Sequence, residues 1–399
     1  MLSYKYKEKI DLIFNPMLDA LKNKYNELPL GLLSGKSGMV ILFGHLNKLF
    51  PNKYNETVEE LIGDIFDSIE NERNTFSMSN GISGAAYAIQ SLQAIEGFNS
   101  ETDILCDLDK YILKSLHVEI KNNNWDPLHG FIGQGLYLLQ RHKYFDLTSQ
   151  LTKIVDILYN SRVDYESYKV WITPEFQPHS NDNYNFGMAH GMSGIVSFLS
   201  LVAQQGIEKK RCEEMTYSCL DFFKFFYRDL DKMYFFPTRI DLIGSIDKGE
   251  GRLAWCYGDL CVANVFFHAS KAFDNKDWFN IGKEIALHTT EIKFEDSGII
   301  DPMICHGSAG VILQYYRYYK LTGDLKFKKA LEYHLDIILN NFYEKDLGIG
   351  GFQYSLYKDE KYIQVNEVGL LEGTTGIALV FLTLLYDLED WDLFLMTNV

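Results

Sequence analysis

The chain has 399 residues, of which 47% are hydrophobic and 15% aromatic, so it can bury a large core and wholesale disorder is excluded. Its 38 basic and 54 acidic residues give a formal net charge of −16. This charge disfavours non-specific binding to nucleic acids or anionic membranes and suits a cationic partner. We therefore predict a folded, acidic protein that has no nucleic-acid partner.

The sequence pattern also bears on cellular location. Residues 1–9 are rich in charge and have no apolar signal-peptide core. The most apolar stretch, residues 376–386, is shorter than the roughly 20 residues that a membrane span requires. In such a chain the six cysteines are expected to be reduced thiols. We predict a cytoplasmic protein without a transmembrane segment.

A short glycine element recurs seven times along the chain. It consists of a glycine, two further residues and a second glycine, and an apolar run follows it. The first glycines are 46 to 67 residues apart, at Gly35, Gly81, Gly130, Gly191, Gly258, Gly307 and Gly373. The fifth copy has Cys261 in place of the second glycine, which leaves its helix start uncertain. Because the repeats fill the chain, we predict a single domain over residues 1–399.

The flanks of each element have opposite characters. An amphipathic, charged stretch such as residues 57–70 precedes it, and an apolar stretch such as residues 194–202 follows it. These patterns predict outer and inner helices respectively. Seven such pairs predict an all-α fold, an α,α-toroid in which seven outer helices surround seven inner ones, because ring closure covers the apolar faces of the terminal repeats. An open solenoid is the alternative.

Three long connections interrupt the repeat period, at residues 161–184, 230–252 and 347–368. They contain short β-prone runs, so small strand-containing elaborations are expected there.

The residue directly before each first glycine is polar in all seven repeats. We call this set the polar row: Ser34, Asn80, His129, His190, Tyr257, His306 and Glu372. In a closed ring these side chains would face the same end of the central cavity. Burying polar groups without partners is costly, so their convergence indicates a function.

Two cysteines in consecutive repeats stand one position before the polar row. Cys256 and Cys305, with the adjacent His306, provide two thiols and one imidazole, a donor set that suits Zn²⁺. Three protein ligands leave a fourth position for a substrate thiol. The alternative is two ordinary buried cysteines and a hydrogen-bonded histidine, since the chain has no local CxxC pair here. The repeat alignment favours the metal site.

Three segments resemble the signature motifs of the lanthionine synthetase C family: residues 189–194 (AHGMSG), 254–258 (AWCYG) and 304–307 (ICHG). The resemblance extends over the whole chain through the seven glycine elements. It implies an α,α-toroid with one zinc ion per chain. The implied activity is the addition of cysteine thiols of a dehydrated peptide to dehydroalanine or dehydrobutyrine, which forms lanthionine and methyllanthionine rings.

The resemblance further implies a stand-alone cyclase of class I lantibiotic pathways, because the chain carries no appended dehydratase region. Its expected partners are a dehydrated cationic precursor peptide with a leader, a separate dehydratase and a membrane transporter. Association with these partners would place a cytoplasmic protein at the membrane periphery.

The resemblance also assigns site residues. It makes Cys256, Cys305 and His306 the zinc ligands, His190 an acid/base residue and Asp126 an active-site carboxylate, and it places Arg252 and Tyr257 around the cavity. His190 would deliver the α-proton and Arg252 would stabilise enolate charge. Asp126 would orient or tune His190. The structural alternatives are a turn or cap for Asp126, a salt bridge for Arg252 and core packing for Tyr257.

Two other functions compete with the cyclase. A small-thiol transferase using glutathione would keep the same metal site, whereas a non-catalytic peptide-binding scaffold would have a structural zinc or none. A nucleotide site is disfavoured, because Gly31 and Gly35 have three residues between them where a phosphate-binding loop needs four.

Overall fold

The computed structural model describes residues 4–22, 24, 28–97, 99–173, 182–227, 233–244 and 251–399. Fourteen α-helices occur in this part of the chain, and every second one begins at a glycine element. The helices that begin there are α2 (Lys36–Leu49), α4 (Ile82–Glu96), α6 (Phe131–His142), α8 (Met192–Gln204), α10 (Asp259–Phe273), α12 (Ser308–Thr322) and α14 (Thr374–Tyr386). The helices that precede them are α1 (Tyr4–Lys22), α3 (Asn55–Asn71), α5 (Cys106–Lys121), α7 (Thr148–Asn160), α9 (Lys209–Phe225), α11 (Lys276–Thr289) and α13 (Leu325–Ile337).

The first glycine of each element is required by a close backbone approach. In the first repeat the N–H of Lys36 donates to the carbonyl of Pro29 at 2.9 Å, which folds the intervening residues into a tight loop. The same bond joins Ile82 to Thr75 at 2.9 Å in the second repeat. A Cβ atom on Gly35 would collide with the Pro29 carbonyl. Any side chain at this position would therefore push the loop away from the helix start.

The fifth repeat departs from the others in its backbone. Gly258 has a φ of 94°, in the left-handed region, whereas Gly191 at the equivalent position of the fourth repeat has a φ of −135°. Helix α10 nevertheless begins directly after Gly258. Cys261, which replaces the second glycine, is fully buried, and its Sγ lies 3.7 Å from the carbonyl of Phe186. The substitution therefore leaves the helix start intact.

The two helix sets differ in burial as the sequence pattern predicts. In α8 every residue except Leu201 and Gln204 is buried. In α9, which packs against α8, the buried residues form a single stripe at helical spacing, from Cys212 to Phe223. The helices that begin at glycine elements are thus enclosed, and those before them are amphipathic.

The described chain forms two compact units, each built from several stretches of sequence. Within the described ranges, unit 1 comprises residues 1–118, 300–313 and 331–391, and unit 2 comprises residues 119–299, 314–330 and 392–399. In unit 1, α14 packs against both α1 and α2, so the last glycine-element helix lies beside the first. In unit 2, α8 packs against α6 and α10.

Backbone hydrogen bonds tie the loops of different repeats together within each unit. In unit 1 the N–H of Leu33 donates to Ser79 at 3.0 Å, and that of Leu371 donates to Leu33 at 2.9 Å. In unit 2 the N–H of Met188 donates to the carbonyl of Cys256 at 2.9 Å. These bonds align the loops that carry the polar row.

Three small antiparallel sheets lie in or beside the long connections, as predicted. β1 (Val163–Tyr165) pairs with β2 (Tyr168–Val170), β3 (Asn183–Asn185) with β4 (Arg239–Asp241), and β5 (Tyr354–Lys358) with β6 (Lys361–Val365). Residues 174–181, 230–232 and 245–250 of these connections lie outside the described residues. The pairing of β3 with β4 joins two connections and sets Asn185 opposite Arg239.

Short helical turns complete the described secondary structure. They are the 3₁₀ segments Ser100–Thr102, Phe294–Asp296 and Leu393–Leu395 and a π-helical segment, Ile338–Phe342, that follows α13. Among the described helices, none has the combination of length and apolar character needed to cross a membrane.

Candidate active site

His190 and Asp126 form a close pair in unit 2. Nδ1 of His190, directly before the Gly191 element, lies 2.7 Å from Oδ2 of Asp126. The other oxygen of Asp126 accepts hydrogen bonds from the backbone N–H groups of Leu128 and His129, both at 2.8 Å. Asp126 is only 3% exposed, so its carboxylate is held in place by these three bonds. It therefore caps its own loop and also contacts the histidine.

The surroundings of His190 change its proton affinity. Burial by itself lowers the pKa of His190, but the hydrogen bond and charge of Asp126, together with the nearby Cys256, outweigh burial and raise it above its usual 6.5. The imidazole of His129 stacks on that of His190 with ring centroids 5.8 Å apart. Burial lowers the pKa of His129. The pKa values of the two neighbouring imidazoles are thus shifted in opposite directions, because only the His190 ring is hydrogen-bonded to the carboxylate.

Tyr257 packs beside the same loop. The amide of Asn185 donates to its hydroxyl at 3.3 Å, and burial raises the pKa of the phenol. The ring fits against the chain because Gly187 has no side chain: a Cβ there would lie 2.6 Å from the ring. The phenol of Tyr257 therefore stays protonated at neutral pH and can donate a hydrogen bond.

Arg252 also lies in unit 2, six residues before Gly258. The residue is half-buried, and within the described part of the chain its guanidinium has no hydrogen-bond or ion-pair partner. The salt-bridge alternative for Arg252 thus has no partner among the described residues. Among the described residues, no carboxylate forms an ion pair with its guanidinium.

Cys305 and His306 lie in unit 1, in the loop before α12. The N–H of Cys305 donates to the carbonyl of Leu371 at 3.1 Å, which anchors this loop to that of the seventh repeat. Nε2 of His306 lies 3.1 Å from Oδ2 of Asp301. Asp301 is fully buried.

A tyrosine and a glutamate complete the surroundings of His306. The ring of Tyr354, on β5, lies 5.8 Å from that of His306. Tyr354 hydrogen-bonds to Glu372, the polar-row residue of the seventh repeat. Burial raises the pKa of Glu372, although His306 and Tyr354 partly offset the effect.

The donor chemistry decides which metal these residues fit. Cys256, Cys305 and His306 each offer one ligand atom, namely two sulfurs and one nitrogen. The two cysteines are thiols that are 6% and 9% exposed. Two buried sulfur donors and an imidazole suit Zn²⁺. They do not suit Mg²⁺ or Ca²⁺, which prefer oxygen ligands.

The predicted site residues divide between the units. Unit 2 brings together His190, Asp126, Cys256 and Tyr257 and also contains Arg252, whereas unit 1 holds Cys305 and His306. Sequence reasoning missed Asn185, Asp301 and Tyr354. The sequence does contain a signal for Asn185 and Asp301, because both stand six residues before the first glycine of an element, as Arg252 does. Over the seven repeats this position holds Pro29, Thr75, Asn124, Asn185, Arg252, Asp301 and Glu367.

Comparison with solved structures of known proteins gives several matches. Nisin cyclase matches with a TM-score of 0.76 and 20% sequence identity, over 99% of this chain and 98% of that protein. A sugar epimerase from a ruminal bacterium (TM-score 0.48, 12% identity, 94% of this chain and 98% of that one) also matches. So does cellobiose 2-epimerase from Bacillus thermoamylovorans (TM-score 0.47, 11% identity, 96% and 98%). No curated protein sequence matches the chain.

The match to nisin cyclase confirms the predicted fold class, an all-α α,α-toroid with small strand-containing elaborations. The family model described as lanthionine synthetase C-like protein matches residues 26–396, which is nearly the whole chain. The seven glycine elements and the histidine and cysteine motifs all lie within this range. The chain therefore belongs to the lanthionine synthetase C-like family.

Proposed function

We propose that this protein is a zinc-dependent lanthipeptide cyclase, which adds peptide cysteine thiols to dehydroalanine or dehydrobutyrine and forms thioether rings. The observation that carries the proposal is the Asp126–His190 pair beside the Cys256 thiol. A buried carboxylate that holds a histidine is a common arrangement for proton transfer. Membership of the lanthionine synthetase C-like family supports the assignment to this reaction.

The metal would be held by Cys256, Cys305 and His306, one zinc ion per chain. When bound, zinc would supply positive charge that lowers the pKa of a substrate thiol in the fourth ligand position. The two sulfur donors and the imidazole support this proposal.

His190 would act as the acid/base group. Because Asp126 contacts Nδ1, the proton of the neutral imidazole resides on that nitrogen and Nε2 is the atom that exchanges a proton with the substrate. Nε2 accepts the proton of the cysteine thiol as its sulfur attacks the β-carbon of the dehydro residue. The carbon–carbon double bond opens, and the electron pair moves to the amide as an enolate. His190 then returns the proton to the α-carbon, so the product has the mass of the reactant.

Arg252 and Tyr257 would stabilise the enolate. Arg252 is half-buried in the same unit as His190, and its guanidinium would supply positive charge there. The phenol of Tyr257 has a raised pKa and donates rather than ionises. Donors aimed at developing charge typically contribute a factor of about 10² to 10³ in rate.

We also propose the substrate and setting. The net charge of −16 suits a dehydrated cationic precursor peptide with a leader. The family suggests a separate dehydratase and a membrane transporter as partners, and a cytoplasmic location at the membrane periphery.

A competition assay distinguishes ring formation from small-thiol transfer. The enzyme is incubated with a dehydrated, cysteine-containing peptide and excess glutathione, next to an enzyme-free reaction that measures spontaneous addition. A cyclase gives a product of unchanged mass whose cysteine no longer reacts with an alkylating reagent, because the tethered thiol has a high effective concentration. Predominant glutathione adducts, with the peptide cysteine still alkylatable, would support the transferase instead. Product formation at the enzyme-free rate would support the non-catalytic scaffold.

A further inference from the structure

We infer that Asp301 is a positioning residue for His306: it holds the imidazole through Nε2 and thereby directs Nδ1 to the metal. The inference rests on the proposed zinc site and adds a residue that the motif resemblance did not identify. All the contacts that support it lie within unit 1.

The backbone of its own loop fixes Asp301. Oδ1 accepts a hydrogen bond from the N–H of Met303 at 2.9 Å, and the main-chain carbonyl accepts one from the N–H of Ser308 at 3.1 Å. Gly307 packs so tightly against Asp301 that a Cβ there would collide with Oδ1. The carboxylate therefore has little freedom to turn away.

The second oxygen of Asp301 faces His306. Oδ2 is completely buried and forms no hydrogen bond, and Nε2 of His306 lies 3.1 Å away, within hydrogen-bonding distance although not well aligned. A buried carboxylate oxygen without a donor or a cation is costly. This cost is removed if Nε2 carries a proton and turns it toward Oδ2. The ring nitrogen that remains for a metal is then Nδ1.

The Asp126–His190 pair repeats this arrangement with the opposite nitrogen. Each aspartate uses Oδ1 to accept from the N–H two residues downstream, Leu128 or Met303, and turns Oδ2 to a histidine of the polar row. Asp126 contacts Nδ1 of its histidine, whereas Asp301 contacts Nε2. The same aspartate–histidine arrangement therefore leaves Nε2 of His190 available for proton exchange and Nδ1 of His306 available for metal ligation. Carboxylates bonded to ligating histidines commonly contribute 10- to 100-fold in metal affinity.

The first test measures zinc affinity by competition with a chromophoric chelator. Asp301→Asn removes the charge and leaves one carbonyl oxygen for two donors, so we expect zinc binding to weaken about 10- to 100-fold. Asp126→Asn is the matched control, since it makes the same change beside His190, which is not a proposed ligand. Its zinc affinity should change far less than that of Asp301→Asn. Wild-type affinity in a folded Asp301→Asn protein would overturn the inference.

A second measurement needs no variant of Asp301. In zinc-loaded wild-type protein with ¹⁵N-labelled histidine, long-range ¹H–¹⁵N correlation spectra report which ring nitrogen carries the proton. The His306 signal, assigned by its loss in His306→Gln, should show a protonated Nε2 and a metal-bound Nδ1. The reverse pattern would overturn the inference even if Asp301→Asn does not fold.

These results separate the inference from the proposed function. Absence of stoichiometric zinc from the wild type, or full retention by Cys256→Ala and Cys305→Ala, contradicts the zinc site itself. The role of Asp301 alone is contradicted if the two cysteine variants lose zinc but Asp301→Asn binds it with wild-type affinity. A metal bound to Nε2 of His306 would have the same meaning.

Discussion

Oδ2 of Asp126 lies 2.7 Å from Nδ1 of His190, although 64 residues separate the two along the chain. Each partner is also held independently: Asp126 by two backbone N–H groups, and His190 by a hydrogen bond from the Thr173 hydroxyl to its carbonyl at 3.2 Å. The pair is therefore built into the fold before any substrate binds. Such preorganisation is what proton transfer at a defined atom requires.

The first prediction concerns proton transfer by His190. His190→Ala should lower the cyclisation rate by about 10² to 10⁴, the usual contribution of an acid/base group, while circular dichroism and zinc content stay at wild-type values. The rate is measured as the formation of product whose cysteine no longer reacts with an alkylating reagent. Unchanged turnover in a folded, zinc-loaded variant would assign the proton to another group, with Asp126 and Tyr257 the next to test.

The second prediction concerns the metal ligands. Purified protein should contain one zinc ion per chain, and Cys256→Ala and Cys305→Ala should each lose most of it, because a metal held by two protein ligands dissociates readily. Cys219→Ala is the control, since Cys219 is equally a thiol and fully buried, on α9. It should retain zinc. Equal zinc loss in all three variants would indicate general unfolding instead of ligand removal.

The third prediction tests why the repeated glycines are needed. Gly35→Ala should lower the free energy of unfolding by about 1 to 3 kcal/mol, since the new methyl group meets the rigid backbone of Pro29 and Gly31. Gly63 lies within α3 with open space around it, so Gly63→Ala should raise stability by about 0.5 to 1 kcal/mol. Chemical denaturation of both variants checks the two signs. If Gly35→Ala raises the free energy of unfolding, the loop that contains Pro29 and Gly31 moves to make room for the methyl group.

The fourth prediction is that stability falls with acidification. His268 is buried, with Nε2 3.0 Å from the carbonyl of Met396, and burial lowers its pKa from 6.5 to about 4. Between these values the unfolded chain binds a proton that the folded chain does not, so stability is lost as pH falls through this window. The slope is roughly 1.4 kcal/mol per pH unit for one such group.

The matched variants for acid stability are His268→Gln and His117→Gln. His268→Gln should reduce the slope of the unfolding free energy between pH 6.5 and 4 by up to roughly 1.4 kcal/mol per pH unit. His117→Gln, at an exposed position of α5, is the control. Parallel curves for His268→Gln and wild type would mean that His268 takes up its proton in the folded state.

The fifth prediction concerns the cationic precursor. Because exposed charges are screened over about 10 Å at 0.1 M salt, the affinity for a basic precursor peptide should fall as salt rises. Binding measured by fluorescence anisotropy at increasing salt checks this, with a peptide of the same length and neutralised lysines as control. An affinity that does not change with salt would indicate that apolar contacts dominate.

The sequence alone determined the helix plan, because its signals are local. Each glycine element marks the start of a helix, and the periodicity on either side of it separates enclosed from amphipathic helices. The fifth repeat shows the limit of this prediction: Cys261 made the start of α10 uncertain, whereas in the structure the helix begins directly after Gly258 and the thiol is buried. The adjacency of Cys305 and His306 was likewise evident without a structure.

Only the tertiary structure decided which side chains from different loops meet. Asp126 reaches His190, a contact that the family resemblance implied but that residue spacing alone did not give. Asn185 reaches Tyr257 across 72 residues, because the hydrogen bond from Met188 to Cys256 aligns the loops of these two repeats. Backbone groups make this bond, so no residue pattern encodes it. The contact of Asp301 with His306 spans only five residues, yet it depends on a tight loop that leaves a buried carboxylate oxygen facing the ring, a geometry that side-chain identity and spacing do not specify.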